Sequence, residues 1–418
     1  MAVVGIITEY NPFHNGHLYQ LQDIRRHQPD AQIICVMSGC FTQRGEAAIA
    51  DKWQRARLAV LHGADLVLEL PFVFAVRSAQ HFATGGTALL NRLGIVNTLA
   101  FGTEYAEPER LQQLAETLES QETQQRLQEL LGQGISYASA LAQAAAAGQE
   151  LDSSQLLKEP NTILALEYLR ALTRMKSPIR PMVLKRRISH YNDSCIHASL
   201  ASGRAIRAGL YRADYDTSLL SQALPPAVWT FLQQQRRTQA LPDLELLFRP
   251  LLAKLLCMST EELRQIYAIR EGLEYRLLSA IQKSSSLEEL LQNVKSKRYL
   301  RSGLQRLLLY ILLDFSKAEA KGFDASGPLY ARILAFNTTG RRLLRECRHQ
   351  ASIPLINKPG QYLHSSEREE GRMNLSPLQQ MLAFDTLATE LYSLCIPVFQ
   401  AGKTDFTVSP LYLPHTSC

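Results

Sequence analysis

Within its first hundred residues the chain alternates short apolar runs with helical ones, and this alternation restricts the fold more than any other feature. Strand-like runs at 3–8, 32–37, 66–70 and 98–101 are separated by helix-like stretches that start near Gly16, cover 50–62 and cover 78–93. Four strands joined by helices of about 12 to 15 residues predict βαβ units and a parallel sheet with right-handed crossovers, a Rossmann-like α/β fold. The run from Val3 to Ile7 is largely β-branched, as in strands buried on both faces. No G-x-G-x-x-G follows it, and Gly85-Gly86 falls inside a helical pattern, so the dinucleotide fingerprint is missing.

The first strand ends at Asn11-Pro12, and a helix begins just beyond. His14 and His17 stand three apart at its mouth, on one face of the first turn, where backbone N–H groups and the positive dipole end favour an anion. Gly16 between them leaves room for a nucleotide to approach the backbone. A His-x-x-His pair also suits a metal half-site or two ordinary surface histidines. The order strand, break, histidines, helix favours a phosphate site at the carboxyl end of the first strand.

At 418 residues, with 46% hydrophobic and 20% charged residues, the chain is long enough for two or three domains with a substantial core. The N-terminus lacks a basic segment followed by a long apolar run, and the apolar stretch 64–76 is interrupted by Asp65, Glu69 and Pro71. A cytoplasmic protein with no membrane partner is expected. Seven cysteines without a C-x-x-C pair predict reduced thiols, no disulfide partner and no zinc site, and no protein-held metal is expected. A net charge of +6 fits an RNA partner and equally fits small anions.

From Glu107 to about Arg174 the pattern turns helical before Pro181-Met-Val-Leu-Lys185 supplies a fifth strand. The expected division is a nucleotide-binding domain over 1–215 with a helical insertion at 107–175, a helical domain over 216–322 that is a candidate for tRNA binding, and a small α/β unit over 323–418. Between 180 and 214, Arg180, Lys185, Arg186, Arg187, Arg204, Arg207 and Arg212 stand against Asp193 and Asp214. A second basic cluster holds Lys295, Lys297, Arg298, Arg301 and Arg306. Both clusters are candidate RNA footprints, although charge runs usually form a solvated face.

Ser202 at a helix start, with Arg207 on the same helix, places an anion site beside a cation, the pairing that a triphosphate needs; a capped helix with a solvated Arg is the plain alternative. Gln43, Arg44, Asp51 and Lys52 follow the second strand, where a second substrate would reach the α-phosphate; a loop and a capped helix explain them equally well. Gly102 ends the fourth strand, where adenosine can lie against the backbone. Asn161 opens a helix and is its N-cap on the simplest reading.

The segment Asn11-Pro-Phe-His-Asn-Gly-His17 resembles the His-x-Gly-His signature of class I nucleotidyltransferases and adenylate-forming synthetases, which implies an ATP site. The Ser202 to Arg207 segment is similar to a second phosphate element of that superfamily, with Gly203-Arg204 where small hydroxyl residues are common. Taken with Met37-Ser-Gly-Cys-Phe-Thr-Gln-Arg-Gly-Glu46, Asp51-Lys52, Ala64-Asp-Leu-Val-Leu-Glu-Leu-Pro71, Phe101-Gly-Thr-Glu104 and Lys158-Glu-Pro-Asn161, these motifs resemble the bacterial tRNA(Met) cytidine acetate ligase family over about residues 1–210.

That resemblance implies that acetate and ATP, normally with Mg²⁺, form acetyl-adenylate, and that the acetyl group passes to N4 of the wobble cytidine of elongator tRNA(Met). It implies an ATP site built from Ile7, Thr8, Glu9, Tyr10, Asn11, Pro12, Phe13, His14, Asn15, Gly16, His17, Leu18, Tyr19 and Gln20, with Gly102, Asn161, Arg186 and Arg187. Acetate is already ionised at neutral pH, so its attack on the α-phosphate needs no general base; His14 and His17 are the candidates for stabilising the departing pyrophosphate. Two alternatives stay open: an adenylyltransferase that joins AMP to a phosphate-bearing metabolite, and a noncatalytic ATP-sensing RNA-binding protein.

Overall fold

Five parallel strands form the centre of the sheet: β1 (Val3–Thr8), β2 (Gln32–Ser38), β3 (Leu66–Leu70), β4 (Thr98–Thr103) and β5 (Arg180–Lys185), in the order β5-β4-β1-β2-β3. The order reverses between β1 and β4, which opens a crevice at their carboxyl ends. This computed structural model describes residues 2–133, 135, 137–146, 159–186, 200–212, 217–296, 299–369, 371–399 and 404–414. The strands alternate faces as a pleat requires. Val3 and Ile7 pack into one core and Val4 and Ile6 into the other, and β2 divides its residues in the same way. Both faces are covered, which is why these strands read as continuous apolar runs.

Six helices matter for the site: α1 (Asn15–His27), α2 (Lys52–Leu61), α3 (Ala79–Arg92), α4 (Pro160–Arg174), α5 (Gly203–Tyr211) and α6 (Arg301–Leu312). The expected helical insertion is present as Pro108–Glu119, Gln121–Gly132 and Tyr137–Ala146, which lead towards α4. The segment expected to be helical beyond residue 216 is so, and most of its leucines from Leu247 to Leu313 join the core that covers one face of the sheet.

The C-terminal segment differs from expectation. Rather than standing as a separate α/β unit, β6 (Ala331–Phe336) pairs antiparallel with β3 and is joined by β7 (Leu355–Ile356) and β8 (Leu411–Tyr412) in the same sheet. Without β6, the wholly buried β3 would present an unpaired apolar edge. The junction is locked by charge. Lys52 Nζ lies 2.7 Å from Glu69 Oε1 and 2.8 Å from Asp405 Oδ1, and Arg332 pairs with both carboxylates, all four side chains being buried. None of the helices in the described residues is long and apolar enough to cross a membrane.

Candidate active site

The helix mouth after β1 is capped by imidazoles. His14 occupies the N-cap position, and its Nδ1 accepts the Gly16 N–H at 3.1 Å. In return His17 Nδ1 accepts the His14 N–H at 3.2 Å, so the pair forms a reciprocal capping box of the kind usually made by Ser or Thr with Glu. The rings stack with centroids 3.7 Å apart, on a bed formed by Tyr10 and Phe13.

Burial, together with the Arg186 and Arg207 guanidiniums, pushes His14 down to about 3. Burial, with His14 and Arg186 adding, holds His17 well below the ordinary imidazole value. Both rings are therefore neutral at pH 7. Because each Nδ1 accepts a backbone N–H, each Nε2 carries the proton, and two donors are available to phosphate oxygens without a change of ionisation.

A stability consequence follows from these shifts. Unfolded histidines take up protons below about 6.5, whereas folded His14 resists until about 3, so the native state should lose stability as pH falls from about 6.5 towards 3. Urea midpoints at pH 7 and pH 5 test this: the drop should be smaller in a His14→Asn/His17→Asn double variant than in the unsubstituted protein.

The crevice widens into a cavity of about 1200 Å³. One wall comes from the sheet and its loops, including Thr8, Glu9, His14, His17, Gly102, Asn161, Arg186 and Arg207; the other comes from the helical segment and includes Tyr267, Arg270, Tyr299 and Arg306. Among the described lining residues, six arginines (44, 186, 204, 207, 270 and 306) face a single carboxylate, Glu9. That carboxylate accepts the Gln43 N–H at 2.6 Å, and burial raises its pKa. Among the described residues no group of three or more His, Cys, Asp or Glu is placed to hold a metal ion.

The Ser202–Arg207 segment lies against the histidine motif. Ser202 caps α5 by accepting the Ala205 N–H at 3.1 Å, and Arg207 donates to the Asn11 carbonyl at 2.7 Å and to Glu46 Oε2 at 2.6 Å. Gly203 permits this approach, because a Cβ there would stand 3.0 Å from the Asn11 oxygen. Gly45 serves the loop after β2 in a similar way: it has φ +76°, and a Cβ would come 2.6 Å from the Arg306 backbone nitrogen. Arg306 in turn donates to the Gln43 carbonyl at 3.1 Å, which ties the loop to α6.

The expected residues separate into lining and supporting groups. Ile7, Thr8, Glu9, Tyr10, Asn11, His14, His17 and Gln20 line the cavity, as do Gln43, Arg44, Gly102, Asn161, Arg186, Ser202 and Arg207. Pro12, Phe13, Asn15, Gly16, Leu18 and Tyr19 do not; Phe13 is core, and Asn15 Nδ2 donates to the Gln222 carbonyl. Asn161 is not the N-cap of α4, a place taken by Glu159; its amide instead donates to Glu104. Lys52 is a correction: expected beside a second substrate, it is sealed in the charge cluster under β3, where a buried ammonium finds two carboxylates. Asp51 is likewise the N-cap of α2, accepting the Gln54 N–H at 2.8 Å. In the second basic cluster Arg301 is held by both oxygens of Glu288, which keep its charge locally offset; Lys297 and Arg298 of that cluster and Arg187 of the first lie outside the described residues.

Two features went unread in the sequence. Arg55, 2% exposed, donates to the carbonyls of Glu9, Ser38, Gly39 and Ala50 and so braces the carboxyl ends of β1 and β2 together. Its place in the amphipathic helix α2 resembles that of any surface arginine. Ser78 and His81, at the start of α3, line the cavity, and behind them His81 meets Asp324, which is distant in sequence.

The profile of the HIGH Nucleotidyl Transferase family matches residues 1–405. The chain is 35% identical over 422 residues to the tRNA(Met) cytidine acetate ligase of Halothermothrix orenii and 38% identical over 422 residues to that of Syntrophomonas wolfei, covering 98% of this chain and 99% of the relative in each case. It is similar in structure to Thermotoga maritima TmcAL in its apo form I, with a TM-score of 0.89 at 32% identity, and to the same protein bound with alpha-thio ATP, with a TM-score of 0.88 at 31% identity. Both comparisons cover 99% of this chain and 100% of the other. Likeness of sequence and fold along the whole length, with the histidine motif at the switch point of the sheet, makes this chain a member of the tRNA(Met) cytidine acetate ligase family of HIGH nucleotidyl transferases.

Proposed function

We propose that the protein activates acetate with ATP as acetyl-adenylate and transfers the acetyl group to N4 of the wobble cytidine of elongator tRNA(Met), in the cytoplasm. The observation that carries this reading is the single arginine-rich cavity with neutral imidazoles at one end and the helical segment at the other. It suits two polyanionic substrates meeting in one place. A volume of about 1200 Å³ exceeds the roughly 300–1,000 Å³ of a site for one small ligand, which leaves room for a nucleoside beside ATP.

In the first step a carboxylate oxygen of acetate attacks the α-phosphorus and pyrophosphate leaves. The reaction needs positioning and charge neutralisation rather than a base. The Nε2–H groups of His14 and His17 donate to the phosphate oxygens, with Arg186 and Arg207 beside them, and Gly102 and Asn161 receive the adenosine. Gln43 and Arg44 face the acetate. Mg²⁺ would supply further neutralisation while bound to the phosphates, because Glu9 is the only carboxylate among the described lining residues and is already bonded to Gln43. The tRNA approaches over the basic surface that includes Lys295.

Incubating the protein with ATP, labelled acetate and unmodified elongator tRNA(Met), followed by mass spectrometry of the nucleosides, should show one acetylated cytidine per tRNA. Pyrophosphate exchange that depends on an added phosphate-bearing metabolite and not on acetate, with no label in the tRNA, would replace this reading by that of an adenylyltransferase.

A further inference from the structure

Ser78, His81 and Asp324 form a constellation that the adenylation chemistry does not use. Ser78 is at the N-cap position of α3, where a serine hydroxyl ordinarily accepts an N–H of the first turn. Here it makes no such bond. It lies 2.7 Å from His81 Nδ1 instead, and His81 Nε2 lies 3.7 Å from Asp324 Oδ2. Asp324 is fixed by Arg77, whose Nη1 and Nη2 donate to its two oxygens at 2.5 and 3.0 Å. Arg77 is itself 1% exposed and stacks over the Tyr267 ring at 4.4 Å. Gln43 Nε2 donates to the Arg77 carbonyl at 2.8 Å, which ties the residue next to Ser78 to the loop that contacts Glu9.

The second half of the reaction requires a base. The lone pair of cytidine N4 is delocalised into the ring, and as N4 bonds to the acetyl carbon its N–H becomes acidic and must lose the proton. Glu9 accepts the Gln43 N–H, and the Nδ1 atoms of His14 and His17 each accept a backbone N–H. Ser78 and His81 line the same cavity and are joined by a hydrogen bond directed away from the helix backbone. Burial holds His81 below the ordinary imidazole value, so at pH 7 the ring can accept a proton, and the Asp324 carboxylate favours the resulting imidazolium.

We propose that Ser78 and His81 are the proton relay of the acetyl-transfer step. N4 attacks the acetyl carbon, the new C–N bond forms, and the acyl–oxygen bond to AMP breaks with its electron pair leaving on the phosphate. The N4 proton passes to Ser78 Oγ as the serine hydroxyl proton passes to His81 Nδ1, and His81 later releases it to solvent. This inference rests on the acetate-activation reading above.

The test measures the two half-reactions separately in the full-length protein and in its Ser78→Ala and His81→Gln variants. Acetate-dependent exchange of pyrophosphate into ATP should stay within about twofold of the unsubstituted protein, while transfer of labelled acetyl to tRNA should fall by about 10²-fold. Imidazole added to a His81→Ala variant should restore part of the transfer rate, which a merely structural role would not allow. Transfer within about threefold of normal in both variants overturns the relay, as does a parallel loss of exchange and transfer in both. If His81→Gln does not fold, Ser78→Ala decides alone, since its hydroxyl makes no helix-capping bond. Absence of acetate-dependent exchange in the unsubstituted protein would overturn acetate activation itself, and the relay with it.

Discussion

Replacing His17 by alanine should lower acetate-dependent pyrophosphate exchange by about 10²-fold or more, the effect of removing one preorganised donor from a transferring phosphoryl group. The expectation rests on a neutral ring whose Nδ1 is engaged by the His14 N–H, so that Nε2–H is already set towards the cavity and needs no reorganisation during the reaction. The same ring helps to cap α1, and His17→Ala also leaves the His14 N–H without its acceptor. His17→Asn separates the two roles, because the Asn Oδ1 stands as many bonds from the backbone as the His17 Nδ1 and can accept the His14 N–H in its place. Exchange should stay low in both variants, while the melting temperature recovers in the asparagine one. Exchange within about threefold of normal in His17→Asn would remove the ring from the chemistry.

Replacing Lys52 by methionine should cost about 3–5 kcal/mol of stability, the effect of leaving a buried charge without its partner. Lys52 and Arg332 together balance Glu69 and Asp405, and all four side chains are at most 3% exposed. Without the ammonium one carboxylate is unbalanced, and its pKa in the folded chain must rise. The folded variant then takes up a proton at a pH where the unfolded chain does not, so its deficit should shrink as pH falls from 7 towards 5. Urea titrations at both pH values measure this. An unchanged midpoint at pH 7 would show that the cluster carries no net stability. Because Asp405 and Arg332 come from the C-terminal segment, the loss should be felt first at the β3–β6 junction.

The parts of the site legible in the sequence are those in which neighbouring residues act together. His14 and His17 share one turn of helix, and the β-branched runs reveal buried strands because a pleat exposes alternate residues to two covered faces. Lys52 misled for a physical reason: a lysine after a strand end usually points to solvent or substrate, and its burial is set by Glu69, Arg332 and Asp405, at three separate places in the chain. Arg55 was unreadable because its partners are carbonyl groups, which every residue has. Ser78 and His81 carry a short-range signal, hydroxyl and imidazole one helical turn apart, but their acidic partner lies 243 residues further on at Asp324.

By itself the sequence determined the parallel α/β core, the place of the His14/His17 motif at the end of its first strand and the basic character of what surrounds it. These follow from periodicity and from contacts within one or two turns, which chain connectivity enforces. The tertiary structure alone decided that β6 completes the same sheet, that Arg207 and Arg306 converge on one cavity from α5 and α6, and that the two histidines are neutral donors. Pairing between distant segments and the ionisation of a buried ring depend on which surfaces exclude water together, a property of the packed chain that local pattern does not encode.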